Sequence, residues 1–309
     1  MSGIEIVANA LSGTASRLGR DGLEALVVET LGDQLRRLQI VQPADVRTAL
    51  ERAFQSDAAL VAVIGGDGTC RAAAEIAHEK GRPVVFLPGG TMNLLPKRIW
   101  GELDLKAALE ALARGETMPI ALDVAEVDGK LFLVAAMFGA APALTRFRET
   151  LRRTRTLRDL GRLGADAMRG LRGLGRPTVR IVEPTGVGGL MPALLVTPGN
   201  ATHALAGRNP DDPTPSLECV AATVNGWAGL AVATMRVLIG ADWRNDKRLV
   251  SFNATRVSIG APGRVMRATL DGEIVVVANP ATLRFLPAGL ATLGPRAAAT
   301  AEPKIEAAV

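Results

Sequence analysis

The sequence predicts an α/β protein in two parts, an N-terminal doubly wound parallel α/β domain followed by a C-terminal antiparallel β-sandwich domain. Three observations predict it. The strand at residues 4–8, the apolar run at 58–64 and the strand at 83–87 each end in a turn rich in Gly, Ser, Thr or Asn, and a helical segment follows each turn. Near residue 121 the pattern changes from alternating strands and helices to hairpins. From there to about residue 286, short strands follow one another with glycine and proline punctuation. The expected domains are 1–121, completed by about 287–296, and 122–286; an alanine-rich tail, 297–309, shows no anchor.

In the first part, the strand at 4–8 runs into Asn9-Ala10-Leu11-Ser12-Gly13-Thr14. A helix is expected at 20–34, where Leu23, Leu26, Val27 and Leu31 recur at helical spacing. A short strand at 38–41 ends at Gln42, and Pro43 then opens a helix reaching Phe54. The run at 58–64 stops abruptly at Gly65-Gly66-Asp67-Gly68-Thr69, and the helix CRAAAEIAHEK begins at once. Glycine lets a ligand touch the backbone, and the first N–H groups of a helix suit a phosphate. Asp67 would repel a bare phosphate and fits a water or cation that the phosphates share. Taken singly, such a loop is equally a capped turn with no ligand.

The strand at 83–87 runs into a second loop of this kind, Pro88-Gly89-Gly90-Thr91-Met92-Asn93. Thr91 and Asn93 can bond a phosphate or the neighbouring loop, or cap the short helix expected at 94–99. Three such turns at one edge of a parallel sheet mark the place where ligands bind. Neither GxxxxGK[ST] nor GxGxxG occurs, so the two commonest nucleotide signatures are absent.

A helix at 104–114 closes this half. Strands are expected at 120–127 and 130–138, joined by a tight Asp128-Gly129 turn. The segment from Arg146 to Arg176 holds ten arginines against Glu149, Asp159 and Asp166, with leucines interleaved at roughly helical spacing. It reads as one or two basic amphipathic helices. They are either a solvated face over an apolar stripe or a contact for anionic lipid headgroups, at about 1 kcal/mol per basic residue. Short strands are expected at 178–183, 193–196, 218–224, 248–252, 256–259 and 264–270, with an apolar helix at 227–239. Leu270-Asp271-Gly272-Glu273 ends one strand and begins another, and 283–295 returns toward the first domain.

Composition bounds the function. The net charge of +5 rests mainly on arginine, which suits acidic partners such as nucleotides or anionic lipid heads. Aromatics are 3% of the chain and Tyr is absent, which argues against nucleic-acid binding by stacking. Two cysteines make no disulfide framework, and a reduced, cytoplasmic protein is expected. No signal peptide is evident, and no apolar run reaches the ~18 residues of a membrane helix. Oligomeric state is left open.

GGDGT followed by PGGTMN, with an NxxSG-like start, resembles the catalytic domain of the diacylglycerol kinase family. That family includes bacterial lipid kinases and sphingosine kinases and is distantly related to NAD kinases. The resemblance runs from Asn9 to about Pro295. It implies ATP bound by Asn9, Ser12, Gly13, Gln42, Gly65, Gly66, Asp67, Gly68, Thr69, Gly89, Gly90, Thr91 and Asn93, with Mg²⁺ near Asp67 and Asp123. It implies Asp271 as the general base, with Glu273 as its orienting partner or an alternate base. Three positions depart from the family pattern. Ala10 replaces a proline, Cys70-Arg71-Ala72 stands where an Asn-Glu pair is usual, and Pro213-Thr214-Pro215 lacks the Asp-Gly of a structural magnesium network. Asp211 and Asp212 lie just upstream of that gap.

The activity so implied is transfer of the γ-phosphate of ATP to the hydroxyl of diacylglycerol or a related lipid alcohol, within phospholipid metabolism. It would act as a cytoplasmic protein at the inner face of the membrane. The competing expectations are a kinase for a soluble acceptor such as NAD, and a non-catalytic member that binds nucleotide or membrane without turnover.

Overall fold

The computed structural model describes residues 3–91, 93–139, 178–183, 189–199, 216–223 and 248–296. The expected basic helices at 146–176, the apolar helix at 227–239, Met92, Asp211, Asp212, Thr214 and the tail at 297–309 lie outside the described residues. The chain divides into two units, Met1–Leu122 together with the chain from Ala288 onward, and Asp123–Pro287.

The first unit begins β1 (Ile4–Asn9), α1 (Gly13–Leu31), β2 (Leu35–Val41), α2 (Val46–Gln55), β3 (Leu60–Gly65), α3 (Asp67–Lys80) and β4 (Val84–Pro88). These strands form a parallel sheet in the order β2-β1-β3-β4. Ile6–Ala8 and Val61–Ile64 are fully buried, because the central strands of a parallel sheet are covered on both faces. That is why β3 reads as an unbroken apolar run, and β1 as one after Glu5, rather than alternating. In α2, Val46, Ala49, Leu50, Ala53 and Phe54 make the buried stripe at helical spacing. The Arg82 guanidinium donates to the carbonyls of Phe54 and Ser56 at 2.7 and 2.8 Å, fixing the chain as it enters β3. Two further helices follow, α4 (Leu94–Trp100) and α5 (Leu105–Ala113). Trp100 is 2% exposed and donates its indole N–H to the Phe86 carbonyl at 2.7 Å, so α4 is fastened to β4.

Two helices differ from expectation at their starts. The helix expected at 20–34 is only the second piece of α1. Ser12 caps a first piece, and Gly19, at φ 74°, breaks the helix before Arg20. The helix expected from Pro43 begins as a 3₁₀ turn, Pro43–Asp45, and becomes α-helical at Val46.

The remaining strands are β5 (Thr117–Val127), β6 (Lys130–Phe132), β7 (Ala136–Gly139), β8 (Arg180–Glu183), β9 (Ala193–Pro198), β10 (Leu217–Ala222), β11 (Leu249–Ala254), β12 (Arg256–Gly260), β13 (Val265–Leu270), β14 (Glu273–Ala278) and β15 (Ala281–Pro295). They form a six-stranded sheet, β11-β10-β9-β7-β13-β14, and a five-stranded sheet, β6-β5-β15-β12-β8. The described strand pairings within both sheets are antiparallel. Both sheets feed one core. Ala125, Val127, Phe132, Ile259 and Leu283 come from one, and Phe138, Val196, Cys219, Ala268 and Leu270 from the other. This is the sandwich that the strand spacing predicts.

One strand expectation is corrected. Residues 130–138 do not form a single strand. The chain leaves the five-stranded sheet after Phe132, turns through 133–135, and joins the six-stranded sheet at Ala136. Strands that switch sheets do so at bends, and the bend removes backbone groups from both ladders. Leu133 and Val134 are each only 2% exposed, so their N–H groups need partners inside the protein.

Candidate functional site

In the first unit, β1, β3 and β4 run parallel in register, which brings their three following turns to one edge. The turns are joined to each other. Asn9 donates its side-chain N–H to the Thr69 hydroxyl at 3.2 Å, tying the first turn to α3. The Thr14 N–H donates to the Gly89 carbonyl at 2.9 Å, tying the first turn to the third. The Asn9 carboxamide oxygen also accepts from the Leu11 N–H, and Ser12 accepts from the Ala15 N–H to cap α1.

Glycine is required here by how closely the turns approach. A Cβ on Gly89 would stand 2.6 Å from the Gly65 nitrogen, and one on Gly90 would stand 2.6 Å from the Gly66 Cα. A Cβ on Gly13 would meet the Thr91 hydroxyl at 3.1 Å. Asn93 takes φ 50° and accepts from the Gly90 N–H at 2.6 Å, closing the third turn on itself. Asn93 tolerates this left-handed conformation better than most residues.

Helix α3 starts at Asp67 with Gly66 as its N-cap, and no side chain caps it. Its first N–H groups and the helix dipole are therefore directed at whatever occupies the turn cluster. The Asp67 side chain goes to the next helix instead, where its Oδ1 accepts from the Leu95 N–H at 3.3 Å. Burial pushes the Asp67 carboxyl above its usual range, and the Leu95 and Leu94 N–H groups only partly offset this. Arg71 lies in the early part of α3, 3.9 Å from Glu75, which also holds Arg47 at 3.3 Å. Gln42 is exposed at the end of β2, and its backbone carbonyl accepts from the Asp45 N–H at 2.9 Å. Among the described residues, no side-chain hydrogen bond draws Gln42 into the cluster.

In the second unit, Asp271 and Gly272 have φ 48° and 89° and form the two-residue turn between β13 and β14. Asp271 is 6% exposed. Its carboxylate accepts three consecutive backbone N–H groups, from Leu133 at 2.8 Å, Val134 at 2.8 Å and Ala135 at 3.0 Å. Its own N–H donates to the Ala135 carbonyl at 2.9 Å. These are the groups orphaned where the chain switches sheets. Glu273, at the start of β14, is exposed. Asp123 is partly buried on β5. Among the described residues, no group of three or more His, Cys, Asp or Glu stands close enough to hold a metal ion by itself.

Side-chain patterns alone miss the partners at both aspartates, because those partners are backbone N–H groups at Leu94–Leu95 and 133–135. One signal was present. Residues 131–138, LFLVAAMF, are apolar at eight successive positions, where a sandwich strand should alternate.

A family model described as the diacylglycerol kinase catalytic domain matches residues 4–125. Among solved structures, one of a candidate diacylglycerol kinase from Bacillus anthracis str. Sterne is similar at a TM-score of 0.68 and 17% identity, covering 96% of this chain and 98% of that one. Another, of a diacylglycerol kinase from the same source, gives a TM-score of 0.65 at 17% identity over the same shares of each chain. The likeness to these structures is one of fold: an N-terminal α/β domain and C-terminal antiparallel sheets.

Proposed function

We propose, from the match of residues 4–125 to the family model of the diacylglycerol kinase catalytic domain, that the protein is an ATP-dependent lipid kinase. It transfers the γ-phosphate to the hydroxyl of diacylglycerol or a related lipid alcohol. The observation that carries the nucleotide half of this reading is the uncapped start of α3 within three interlocked turns. Backbone N–H groups at a helix start hold phosphate oxygens without a charged side chain. Asn9, Ser12, Gly13, Thr69, Thr91 and Asn93 surround or brace that start. Gln42, exposed at the end of β2, is a more distant member of the set.

Magnesium carried by a nucleotide needs only one or two protein carboxylates besides the phosphates. Asp67, whose ionised form burial disfavours, fits that need, and Asp123 is the second candidate. Such a cation, when bound, would neutralise charge on the transferring phosphoryl group.

In the reaction, the lipid hydroxyl oxygen forms a bond to the γ-phosphorus while the bond from that phosphorus to the bridging oxygen of ADP breaks. The hydroxyl proton passes to a carboxylate of the Asp271-Gly272-Glu273 turn, a step that contributes roughly 10²–10⁴-fold. The arginine-rich run at 146–176 is the proposed contact with anionic headgroups, which would bring the enzyme to an acceptor that stays in the bilayer. No helix among the described residues is long and apolar enough to cross a membrane.

The deciding experiment is transfer of labelled γ-phosphate from Mg-ATP to a panel of detergent-dispersed lipids, with NAD as a soluble acceptor. Label in one lipid class is the expected result and names the acceptor. Label in NAD alone would move the protein to soluble substrates. ATP binding without transfer to any acceptor would favour the non-catalytic reading.

A further inference from the structure

We infer that the outer face of the β13–β14 hairpin, at the end that carries Val265, Arg267, Val276 and Ala278, docks the protein on an anionic lipid bilayer. The purpose of such docking rests on the lipid-kinase reading, because the acceptor would lie in the bilayer. The surface itself rests on these four side chains and their neighbours.

Strand β14 is the last of the six-stranded sheet, and β13 is its neighbour. The described pairing of β13 with β7 covers 268–270 only. Beyond it, among the described residues, 265–267 and 276–278 run as a two-stranded ribbon. Side chains alternate along the ribbon. Met266 and Val277 are buried in the sandwich core. Val265 and Val276 lie on the opposite face and are 60% and 55% exposed. Val265 stands opposite Ala278, and Arg267 opposite Val276, so the two valines are diagonal neighbours. All four residues are exposed. An edge strand in water normally carries charge or proline, yet β14 reads EIVVVA.

The charge around this patch is positive. Arg264 and Arg267 flank the valines and are exposed, and among the described residues no carboxylate pairs with either. Asp271 and Glu273 lie at the far end of the hairpin. Asp128 reaches the ribbon from the β5–β6 turn, where it accepts the Ala278 N–H. Two arginines against one carboxylate suit anionic headgroups, with the valines directed to the acyl boundary. Asp128 also argues against a second copy adding its strand here. It occupies an N–H on the side of β14 away from β13, which an added strand would need. The backbone before β13 is held in place. The Asn279 carboxamide oxygen accepts from the Ala261 N–H at 3.0 Å, and its N–H₂ donates to the carbonyls of Ala261 and Gly263. Arg264 and Val265 are thus presented on a braced turn.

The arginine-rich run at 146–176 is a separate proposed contact, so the test must read the ribbon itself. It uses the full-length protein with one introduced cysteine carrying an NBD fluorophore. The natural Cys70 and Cys219 are buried and leave the introduced thiol as the site of labelling. Val276→Cys reads the ribbon. Val250→Cys is the control, 44% exposed on β11 at the opposite edge of the same sheet. The probes are vesicles of phosphatidylcholine alone and of phosphatidylcholine mixed with phosphatidylglycerol. With the anionic vesicles, the label at 276 should brighten and shift to the blue, and the label at 250 should not. Neutral vesicles should change neither.

In unlabelled protein, Arg264→Gln with Arg267→Gln should weaken partition onto anionic vesicles at low salt by at least ~10-fold. Val265→Thr with Val276→Thr keeps β-propensity and should weaken it by at least ~3-fold. Both pairs are exposed, so urea midpoints should stay near the wild-type value. No change in the label at 276, an equal change at 250, or wild-type partition in both double variants would overturn the surface. A solution dimer that Val265→Thr with Val276→Thr dissociates, at unchanged vesicle binding, would assign the ribbon to a second copy and overturn it as well. Docking is read without ATP. Failure to transfer phosphate to any lipid would therefore remove the kinase reading alone, and the label would still decide the surface.

Discussion

Asp67 and Asp271 each precede a glycine and each accept backbone N–H groups, yet the protein treats them differently. Asp271 receives three donors from one bend, and each of its oxygens has at least one partner. Asp67 receives the Leu95 N–H at a long 3.3 Å, with Leu94 nearby, and burial still pushes its carboxyl up. Asp271 is held by the fold through donors from a single bend. Asp67 sits where its surroundings do not fully compensate its charged form. An uncompensated carboxylate beside an uncapped helix start is the arrangement expected where a ligand or cation completes the site. A compensated one is a structural part. The comparison can be broken at either end.

The largest effect is expected at Asp271. Asp271→Ala leaves the buried N–H groups of Leu133 and Val134 and the half-buried one of Ala135 without their acceptor. At about 1–3 kcal/mol for each of the two buried groups, the loss should reach roughly 2–6 kcal/mol. The control is Asp128→Ala. Asp128-Gly129 makes the same kind of turn, at φ 50° and 72°, and Asp128 accepts from the Ala278 N–H, but that bond is exposed. Its loss should cost less than about 1 kcal/mol. Denaturant unfolding of both variants measures the difference. Equal costs would mean that burial of the corner is not what makes Asp271 matter.

A smaller effect is expected from Gly90→Ala in the turn cluster. The added Cβ would stand 2.6 Å from the Gly66 Cα, which is backbone and cannot swing aside. Overpacking of this kind costs about 1–3 kcal/mol. The turns would also be pushed apart, so nucleotide affinity measured by calorimetry should fall more steeply than stability. A variant that loses stability but binds ATP as wild type does would detach the cluster from nucleotide binding.

These two regions were not equally legible in the sequence. The parallel sheet and its three turns follow from runs such as AALVAVI-GGDGT, because strands buried on both faces leave a plain apolar signature. The pairing of the turns did not follow. Gly89 and Gly90 read as ligand-facing glycines, and their immediate reason is the approach of Gly65 and Gly66. In the sandwich, alternation located the strands but not the sheet each one joins. The switch at 133–135 is written in eight successive apolar residues, 131–138, and a single buried strand gives the same pattern. Asp271 stood out as a carboxylate in a motif. Its partners were invisible because a backbone N–H has no letter in the sequence. The first piece of α1 was hidden by Gly13, whose poor helix propensity the Ser12 cap offsets, and by Gly19, which breaks the helix.

The smallest change in stability, with the opposite sign, is expected at Asp67. In Asp67→Asn the carboxamide oxygen can keep the bond from the Leu95 N–H, and the buried charge disappears. The folded-state pKa lies above the ordinary value of 3.8, so the folded protein holds a proton that the unfolded chain has released. Stability contributed by this group is therefore present at low pH and lost as pH rises from 3.8 through the folded-state value. Asp67→Asn removes that loss. Its stability relative to wild type should rise as pH rises above about 4, leaving the variant equal to or up to ~1 kcal/mol more stable at neutral pH. Urea unfolding of both proteins across this range measures the trend. Under the kinase reading, phosphoryl transfer should fall sharply in the same variant, because the carboxylate near the phosphates is gone. A gain in stability with a loss of turnover would place the function of the first unit on the one aspartate that its fold leaves uncompensated. A variant less stable than wild type at neutral pH would show that the start of α4 needs the full charge of Asp67, and the contrast with Asp271 would collapse.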